Sequence, residues 1–386
     1  MSDGRQIPRI PTPVLVKSAL VLFWARLGSL NALETVSGAG FWRRWLGRPP
    51  SSADTMGRVH ALLQVQALRE GIHHLYRCLK RNKALAGIQG WAVAVLDGHE
   101  SHASYRRQCC GCLQRNVGSG SNRRVQFYHR HVTLMLLGEK FRFLLDVEPQ
   151  RPGEDEGTAA LRLLERVVIT YPRAFQLLLG DALYATAPFL NFLLAHGKHA
   201  LVVFKDNRRE LYQDVAGLFE SVPPQRSQYR GRDCRWWDLH GLLSWPDVKA
   251  PLRVIRSQET YSIRRQATQQ RTTETADWVW ATTLGPDQAS TSLLVRLGHQ
   301  RWDIENYGFN ELVNDWQADH VYRHQATAME AFLLTVLLAY NIFHAFLALN
   351  LKPQIRRGKT EIFWARLIAA EVYLPAGLAT GLQRPP

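Results

Sequence analysis

Two aspartates come directly after short apolar segments of the chain. Asp97 follows residues 91–96, and Asp181 follows residues 175–179 and a glycine. Both runs have the composition of buried strands, and residues that follow the strands of an α/β fold lie where such folds present functional groups. Packing explains a carboxylate poorly at such a place, because its burial without a partner is costly. The partner is either a divalent metal ion or, more simply, an arginine in a salt bridge.

A third carboxylate, Glu305, lies in the segment 291–315, which has helical character. Arg301 precedes it by four residues, so that both side chains share one face of a regular helix, and an ordinary ion pair is the simple structural explanation. Glu305 comes 124 residues after Asp181. Residues 222–290, which lie between them, alternate as strands do and predict an all-β insertion.

Other carboxylates in the same region have plain structural explanations. Asp146 and Glu148 lie at the end of a strand-like run, and we expect Asp146 to be solvated or salt-bridged. Residues 154–156 are three consecutive acids that open a helical segment, where the helix dipole favours negative charge. We therefore do not assign these acids to catalysis.

The cysteines and histidines suggest a second kind of metal site. Cys109 and Cys112 form a C-x-x-C sequence, and His129 lies in the strand-like run 125–137. A structural Zn²⁺ held by Cys109, Cys112 and one or two histidines, His129 among them, is one prediction. The spacing matches no standard zinc pattern, which leaves free cysteines and a redox C-x-x-C as alternatives. Five cysteines in 386 residues are too few for a disulfide scaffold, and the odd number fits a reducing compartment.

The positive charge is concentrated in two stretches of the chain. There are 48 Lys and Arg against 33 Asp and Glu, a formal net charge of +15. Residues 1–90 contain 13 basic and 4 acidic side chains, and residues 101–130 contain 6 arginines and no acid. A local excess of this kind indicates a surface for a polyanion such as DNA, and a solvated basic face is the plain alternative. The candidate phosphate ligands of the second stretch are Arg106, Arg107, Arg123 and Arg124.

Composition also excludes some classes of protein. With 46% hydrophobic residues, the chain buries a core and is not disordered. The N-terminus lacks the uninterrupted apolar run and the cleavage site of a signal peptide. Residues 329–351 are long enough to cross a membrane, but they include Glu330, Asn341 and His344, and we interpret them as a buried core helix.

The order of the elements predicts an α/β fold. Three strands are followed by alternating helices and strands, which indicates a mixed sheet flanked by helices, with an antiparallel start. We divide the chain into a helical, basic N-terminal domain (1–90), a catalytic domain (91–221 and 291–350), the all-β insertion (222–290) and a basic C-terminal segment (351–386). Five tryptophans in the insertion are interpreted as its core, or else as platforms on which unpaired bases stack.

In their order along the chain, these motifs resemble bacterial insertion-sequence transposases of the DDE class. The resemblance lies in strand-Asp-Gly at Asp97, in strand-Asp with a following aromatic at Asp181 and Tyr184, and in Arg-x-x-x-Glu-Asn from Arg301 to Glu305 and its neighbour. The phrases 153–156, 161–167 and 204–211 fit the same group, as does the distance along the chain between the second and third acids.

The sequence departs from the family pattern at two positions. Many relatives have a tyrosine three residues before the arginine and a lysine seven residues after the glutamate. Here these positions are Gly298 and Leu312. A role for that tyrosine or lysine is therefore not expected in this chain.

The resemblance implies a ribonuclease H-like catalytic domain with a β-rich insertion and a metal-dependent mechanism. Asp97, Asp181 and Glu305 would hold two Mg²⁺ ions, with Mn²⁺ as an alternative, because hard oxygen ligands suit such ions. One ion would activate water or a DNA 3′-hydroxyl, and the other would stabilise the leaving 3′-oxygen. The same site would first nick DNA at the transposon end and then join the freed 3′-hydroxyl to target DNA. Arg301 would contact phosphate or orient Glu305.

The expected partners are transposon ends and target DNA, with a homodimer that pairs two ends and no membrane. We expect the protein in the bacterial cytoplasm, associated with the nucleoid. One alternative is a ribonuclease H-like nuclease or resolvase, which would hydrolyse DNA without strand transfer and gives no reason for the β insertion. The other is a domesticated, non-catalytic DNA-binding relative, which predicts the loss of an acid, although all three acids are present.

Overall fold

The computed structural model describes residues 3–205, 209–266 and 269–374. Residues 206–208, inside the phrase 204–211, and residues 375–386, at the end of the basic C-terminal segment, lie outside the described residues. Helices and strands are both abundant, and the predicted mixed α/β class is confirmed.

Helices fill most of the first 90 residues and the C-terminal part of the chain, and strands lie mainly between them. The described helices are α1 (Thr12–Trp24), α2 (Leu30–Thr35), α3 (Gly40–Leu46), α4 (Ala53–Leu62), α5 (Val65–Arg81), α6 (Glu156–Thr170), α7 (Ala187–Ala195), α8 (Arg209–Ser221), α9 (Thr291–Gln300), α10 (Asn310–Asn314), α11 (Ala326–Leu349), α12 (Pro353–Arg356) and α13 (Glu361–Tyr373). The described strands are β1 (Val93–Ser104), β2 (Leu113–Val117), β3 (Arg124–Leu137), β4 (Phe143–Pro149), β5 (Leu177–Gly180), β6 (His199–Val203), β7 (Gln225–Tyr229), β8 (Arg232–Leu242), β9 (Leu252–Arg264) and β10 (Arg271–Thr282).

Contacts divide the chain into two units, and β1 runs from one into the other. The first unit is formed by the described residues within 1–90, 98–171 and 304–386. The second unit is formed by those within 91–97 and 172–303.

The strands of the second unit follow the order β1-β5-β6-β10-β9-β8-β7. The first three run parallel, and the remaining pairings are antiparallel, so the sheet is mixed. Strands that lie inside a parallel sheet are covered on both faces, which explains why β5, with the sequence LLLG, is buried at every position. The described part of residues 222–290 contains only strands, and β10 joins them to β6.

Helix α11 forms the centre of the first unit, where it packs against α1, α4, α5 and β4. It is the one described helix that is long and apolar enough to cross a membrane, and 67% of its most apolar window is buried. The three polar side chains noted in its sequence have partners: Glu330 with Arg69 at 2.6 Å, Asn341 with the backbone of β4, and His344 with Glu311 at 2.7 Å. These contacts support the interpretation of a core helix.

Two features of the fold do not follow from local composition. Residues 53–81 form two helices, α4 and α5, because the chain becomes extended at Leu63, where it pairs with Asp3. The strand predicted at 91–96 continues to Ser104 as β1, and a further strand, β2, precedes β3. Strand formation depends on pairing with neighbours, which the composition of a polar segment does not report.

The tryptophans of residues 222–290 mostly serve packing. Trp236, Trp237 and Trp280 are buried, and Trp280 stacks on Trp278 with ring centroids 6.2 Å apart. The interpretation of these three side chains as core is therefore confirmed, and they are not open platforms for bases. Trp280 also lies against Gly298 of α9, where an added Cβ would come 2.4 Å from its ring.

We predict that Gly298→Ala lowers the free energy of unfolding, by about 1–3 kcal/mol, because the new methyl group collides with Trp280. Urea denaturation followed by tryptophan fluorescence measures this change. Gly217→Ala is the matched control, since Gly217 lies in helix α8 with open space around it. That substitution should raise stability by about 0.5–1 kcal/mol, and equal effects of the two substitutions would contradict the prediction.

Candidate active site

Asp97 lies within β1, just beyond the residues that pair with β5, and Asp181 directly follows β5. In the pairing of β1 with β5, Val93 is level with Leu177 and Val95 with Leu179. The same register, continued by two residues, brings Asp97 level with Asp181. Because neighbouring strands lie about 4.8 Å apart, this register places the two half-buried aspartates next to each other across the β1–β5 pairing.

Arg301, at the C-terminal end of α9, pairs with Asp97. Its Nη1 lies 3.3 Å from Oδ2 of the aspartate, and the two side chains are only 9% and 13% exposed. The guanidinium also lies over the ring of Trp302, 4.6 Å from its centroid. A buried arginine requires such a counter-charge. From the sequence, Arg301 is expected to contact phosphate or to orient Glu305. Its pairing with Asp97 is not expected from the sequence.

A tight turn orients Asp181 as the chain leaves β5. The Oδ1 atom of Asp181 accepts a hydrogen bond from the backbone N–H of Leu183 at 2.9 Å, which stabilises the 3₁₀ turn Ala182–Tyr184. Tyr184 is buried and lies over Gly180, where an added Cβ would come 3.0 Å from its ring. The aromatic residue after the aspartate therefore packs the turn that fixes the carboxylate.

Glu305 belongs to the first unit and begins a π-helical turn, Glu305–Phe309. Helix α9 ends at Gln300 and is followed by a turn, so the regular helix expected through residues 291–315 is interrupted before Glu305. Tyr307 within the turn accepts a hydrogen bond at its carbonyl from the Tyr340 hydroxyl, at 2.8 Å. Such π-helical turns are rare in proteins overall, but those that occur often lie at functional sites.

The competing acids are occupied by arginines of the first unit. Asp146, which is 2% exposed, pairs with Arg69 at 3.1 Å and with Arg166 at 2.7 Å. Glu148 pairs with Arg166 at 2.6 Å and with Arg162 at 2.6 Å. The salt bridge predicted for Asp146 is thus confirmed, and these two acids hold β4 against the helices that carry the arginines.

The acids at residues 154–156 surround the start of α6. Asp155 caps the helix, with Oδ1 accepting from the Thr158 N–H at 2.8 Å, and Glu154 pairs with Arg162 at 2.7 Å. The arginine holds the pKa of Glu154 below its usual range. Glu156 lies against Gly98, where an added Cβ would come 2.2 Å from its carboxylate. The Asp-Gly sequence after the first apolar strand therefore needs its glycine for this close approach.

The two positions that depart from the family pattern are packing positions here. Gly298 has room for no side chain beside Trp280, and Leu312 is 2% exposed. A tyrosine at the first position would collide with the indole ring. The absence of the usual side chains is thus part of the packing of each unit.

The four candidate phosphate ligands of residues 101–130 are all exposed and belong to the first unit. Arg106 and Arg107 lie in the loop after β1, where the Ser104 hydroxyl accepts from both of their backbone N–H groups. Arg123 and Arg124 lie at the start of β3. Exposed guanidinium groups in loops and at strand ends are suited to phosphate contacts.

The predicted zinc ligands Cys109, Cys112 and His129 lie together in the first unit, and His324 joins them. The Sγ atoms of the cysteines are 3.8 Å apart, and the Sγ of Cys112 lies 3.3 Å from the Nε2 of His129 and 3.5 Å from that of His324. Burial lowers the pKa of His129 to about 4 and raises the pKa of the Cys109 thiol to about 11.

The sequence analysis did not include His324 among the zinc ligands. The cluster joins residues more than 200 positions apart along the chain, from the loop before β2 and from the loop before α11. The one available signal was the H-x-x-x-H spacing of His320 and His324, which resembles half of a zinc-finger pattern. His320 is exposed and does not belong to the cluster.

The chain is similar to a described protein family. A family model described as "Transposase DDE domain" matches residues 93–342, well over half of the chain. The matched range includes Asp97, Asp181 and Glu305. No curated protein sequence matches the chain.

We predict that an Asp→Asn substitution has different effects on stability at a structural aspartate and at a candidate catalytic one. Asp146→Asn should lower the free energy of unfolding by about 1–3 kcal/mol, because Arg69 and Arg166 would each lose one charged partner and keep only Glu330 and Glu148, respectively. Asp181→Asn should change it by less than about 1 kcal/mol. Chemical denaturation measures both, and a larger loss for Asp181→Asn would argue that Asp181 serves stability.

Proposed function

Because the chain belongs to the family defined by the transposase DDE domain, we propose that it is a DNA transposase, which cuts DNA at transposon ends and transfers the freed 3′ ends to target DNA. The observation that supports this proposal is the parallel register of β1 and β5, which, continued by two residues, brings Asp97 level with Asp181. In this proposal the catalytic domain has a ribonuclease H-like fold, and residues 222–290 are its β-rich insertion.

In this proposal the site binds Mg²⁺, with Mn²⁺ as an alternative. Two adjacent carboxylates repel each other unless a cation lies near them, and carboxylate oxygens are the ligands that Mg²⁺ prefers. As the family resemblance implies, Asp97, Asp181 and Glu305 would hold two ions. When bound, such ions activate the attacking oxygen and stabilise the leaving 3′-oxygen.

Each of the chain's own residues has a defined part in this proposal. The turn after β5 fixes the carboxylate of Asp181 through the Leu183 N–H. Arg301 fixes the carboxylate of Asp97, and its guanidinium carries N–H donors of the kind that bind phosphate. The π-helical turn sets the direction of Glu305. In this assignment Arg301 is a positioning residue that also carries positive charge to the site.

DNA is held, in the proposal, by the two basic stretches of the sequence. The helical residues 1–90 would grip the transposon ends, and the exposed arginines of residues 101–130 would contact phosphates near the cut. The basic C-terminal segment, 351–386, would add to this grip. A homodimer would pair the two ends, and the enzyme would act on DNA in the bacterial cytoplasm.

Two alternatives are compatible with the same residues. A ribonuclease H-like nuclease or resolvase would cleave DNA and stop at hydrolysis. A domesticated relative would bind DNA without cutting it, but it would have no need for two aspartates in register, one of them paired with a buried arginine. We therefore favour the transposase.

Strand joining tests the proposal directly. Purified protein is incubated with DNA that carries the ends flanking its own gene, with a target plasmid and Mg²⁺. We expect joined products from the wild type, and a loss of more than about 100-fold for Asp97→Ala, Asp181→Ala and Glu305→Ala, because even partners of metal ligands cost about 10–100-fold when removed. Asp214→Ala, at an exposed position of α8, is the control and should keep full activity.

The outcomes distinguish the alternatives. Cleaved but unjoined ends would favour the nuclease, and binding without cleavage by the wild type would favour the domesticated relative. Equal joining by the wild type and Asp181→Ala would contradict the assignment of the site.

A second prediction concerns the grip on DNA. Arg106→Ala and Arg107→Ala should weaken binding to DNA of any sequence, and each lost phosphate contact should reduce the slope of log K against log salt by about one. Fluorescence anisotropy over a range of salt concentrations measures both effects. Arg173→Ala, at an exposed arginine outside the two basic stretches, is the control, and an equal effect there would refute a specific role for the loop.

A further inference from the structure

We propose that Cys109, Cys112, His129 and His324 form a closed, structural Zn²⁺ site that ties the arginine-bearing loop of the first unit to the segment leading into α11. The proposal goes beyond the catalytic function, because the site contains none of the candidate catalytic acids. Each of its four ligands comes from the described part of the first unit.

The ligand spacing is that of tetrahedral coordination. With Zn–S near 2.3 Å and Zn–N near 2.0–2.1 Å, a regular tetrahedron sets two sulfurs about 3.8 Å apart and a sulfur and a nitrogen about 3.6 Å apart. The two sulfurs are 3.8 Å apart, and the sulfur–nitrogen distances are 3.3, 3.5 and 3.5 Å. All four ligand atoms lie within 4.8 Å of one another.

The ligand types select the metal. Two thiolates and two imidazoles in tetrahedral arrangement are typical of zinc, whereas Mg²⁺ prefers oxygen ligands. Two thiolate charges neutralise one divalent ion, so the complex has no net charge. It is therefore inexpensive to bury, and Cys112 is only 5% exposed. A disulfide is the other chemistry of a C-x-x-C pair, but it requires a sulfur separation of about 2.05 Å.

The surrounding backbone is already arranged for the ligands. The N–H of Cys109 donates to the Sγ of Cys112 at 3.2 Å, a contact that stabilises a thiolate, and the N–H of Cys112 donates to the carbonyl of Cys109 at 3.1 Å. Gly111 lies so close to Ala326, the first residue of α11, that an added Cβ would come 3.0 Å from the Ala326 Cβ. The turn between the cysteines is thus pressed against the start of this helix.

The four ligands join three separate parts of the first unit. The cysteines lie in the loop that also carries Arg106 and Arg107, His129 lies on β3, and His324 lies in the loop before α11. Residues 105–108 of this loop are all exposed, so their side chains do not hold the loop in place by burial. A metal bond to a strand and to the start of the core helix would fix the loop where packing does not.

Metal content tests the site without DNA or activity. Full-length wild type, purified without chelators, should contain one zinc per chain by elemental analysis. Protein loaded with Co²⁺ instead should show the visible absorption of tetrahedral cobalt with thiolate ligands. Cys112→Ser should lose the zinc and this absorption, and His324→Ala should release zinc to a competing chelator at least about 100-fold more readily.

Two controls lie within a few residues of the ligands. Cys110→Ser changes an exposed neighbouring cysteine, and His320→Ala changes an exposed histidine of the same loop as His324. Both should keep one zinc with wild-type affinity. Circular dichroism shows whether each variant is folded. If Cys112→Ser does not fold, the cobalt spectrum of the wild type still tests the site.

Specific results would overturn the proposal. One is that wild-type protein neither contains nor takes up zinc or cobalt. The other is that Cys109 and Cys112 form a disulfide instead of binding metal. An unchanged zinc affinity and cobalt spectrum in His324→Ala would show that His324 is not the fourth ligand. If the site is structural, removal of zinc should also speed trypsin cleavage after Arg106 and Arg107. None of these results depends on strand joining, so failure of the catalytic proposal would leave them unchanged.

Discussion

The parallel pairing of β1 with β5 is the constraint on which the candidate active site depends. Its register, continued by two residues, brings Asp97 level with Asp181, and neighbouring carboxylates repel each other. Such a pair is stable only when positive charge is supplied. In the protein itself this charge comes from Arg301, which is buried against Asp97. We propose that metal ions supply further positive charge during the reaction.

Buried charge is handled in the first unit by a different arrangement. Asp146 and Glu148 stand on β4, and three arginines from α5 and α6 reach them. This network satisfies its own charges and holds helices against a strand, so it needs no external ion. The two groups of acids look alike in the sequence, because both follow apolar strands. They differ in their partners: two arginines pair with each of Asp146 and Glu148, whereas Arg301 pairs with Asp97.

Much of the fold and of the candidate site followed from the sequence because the relevant signals are local. The apolar runs before Asp97 and Asp181 indicated two strands, of which β5 ends just before Asp181 while β1 continues past Asp97, and the apolar length of residues 329–351 indicated a core helix. The break at Leu63, strand β2 and the π-helical turn at Glu305 did not follow. The break at Leu63 depends on a distant partner, Asp3, and β2 depends on its pairing with β3, and periodicity reports neither.

By itself, the sequence determined the class of the protein, since the order of its strands, acids and basic stretches is written along the chain. The family match over residues 93–342 agrees with that order. Only the tertiary structure decided which charges meet. It paired Arg301 with Asp97 and brought His324 to two cysteines more than 200 residues away, because distances in space depend on how strands and helices pack. The spacing of residues along the chain carries no record of such contacts.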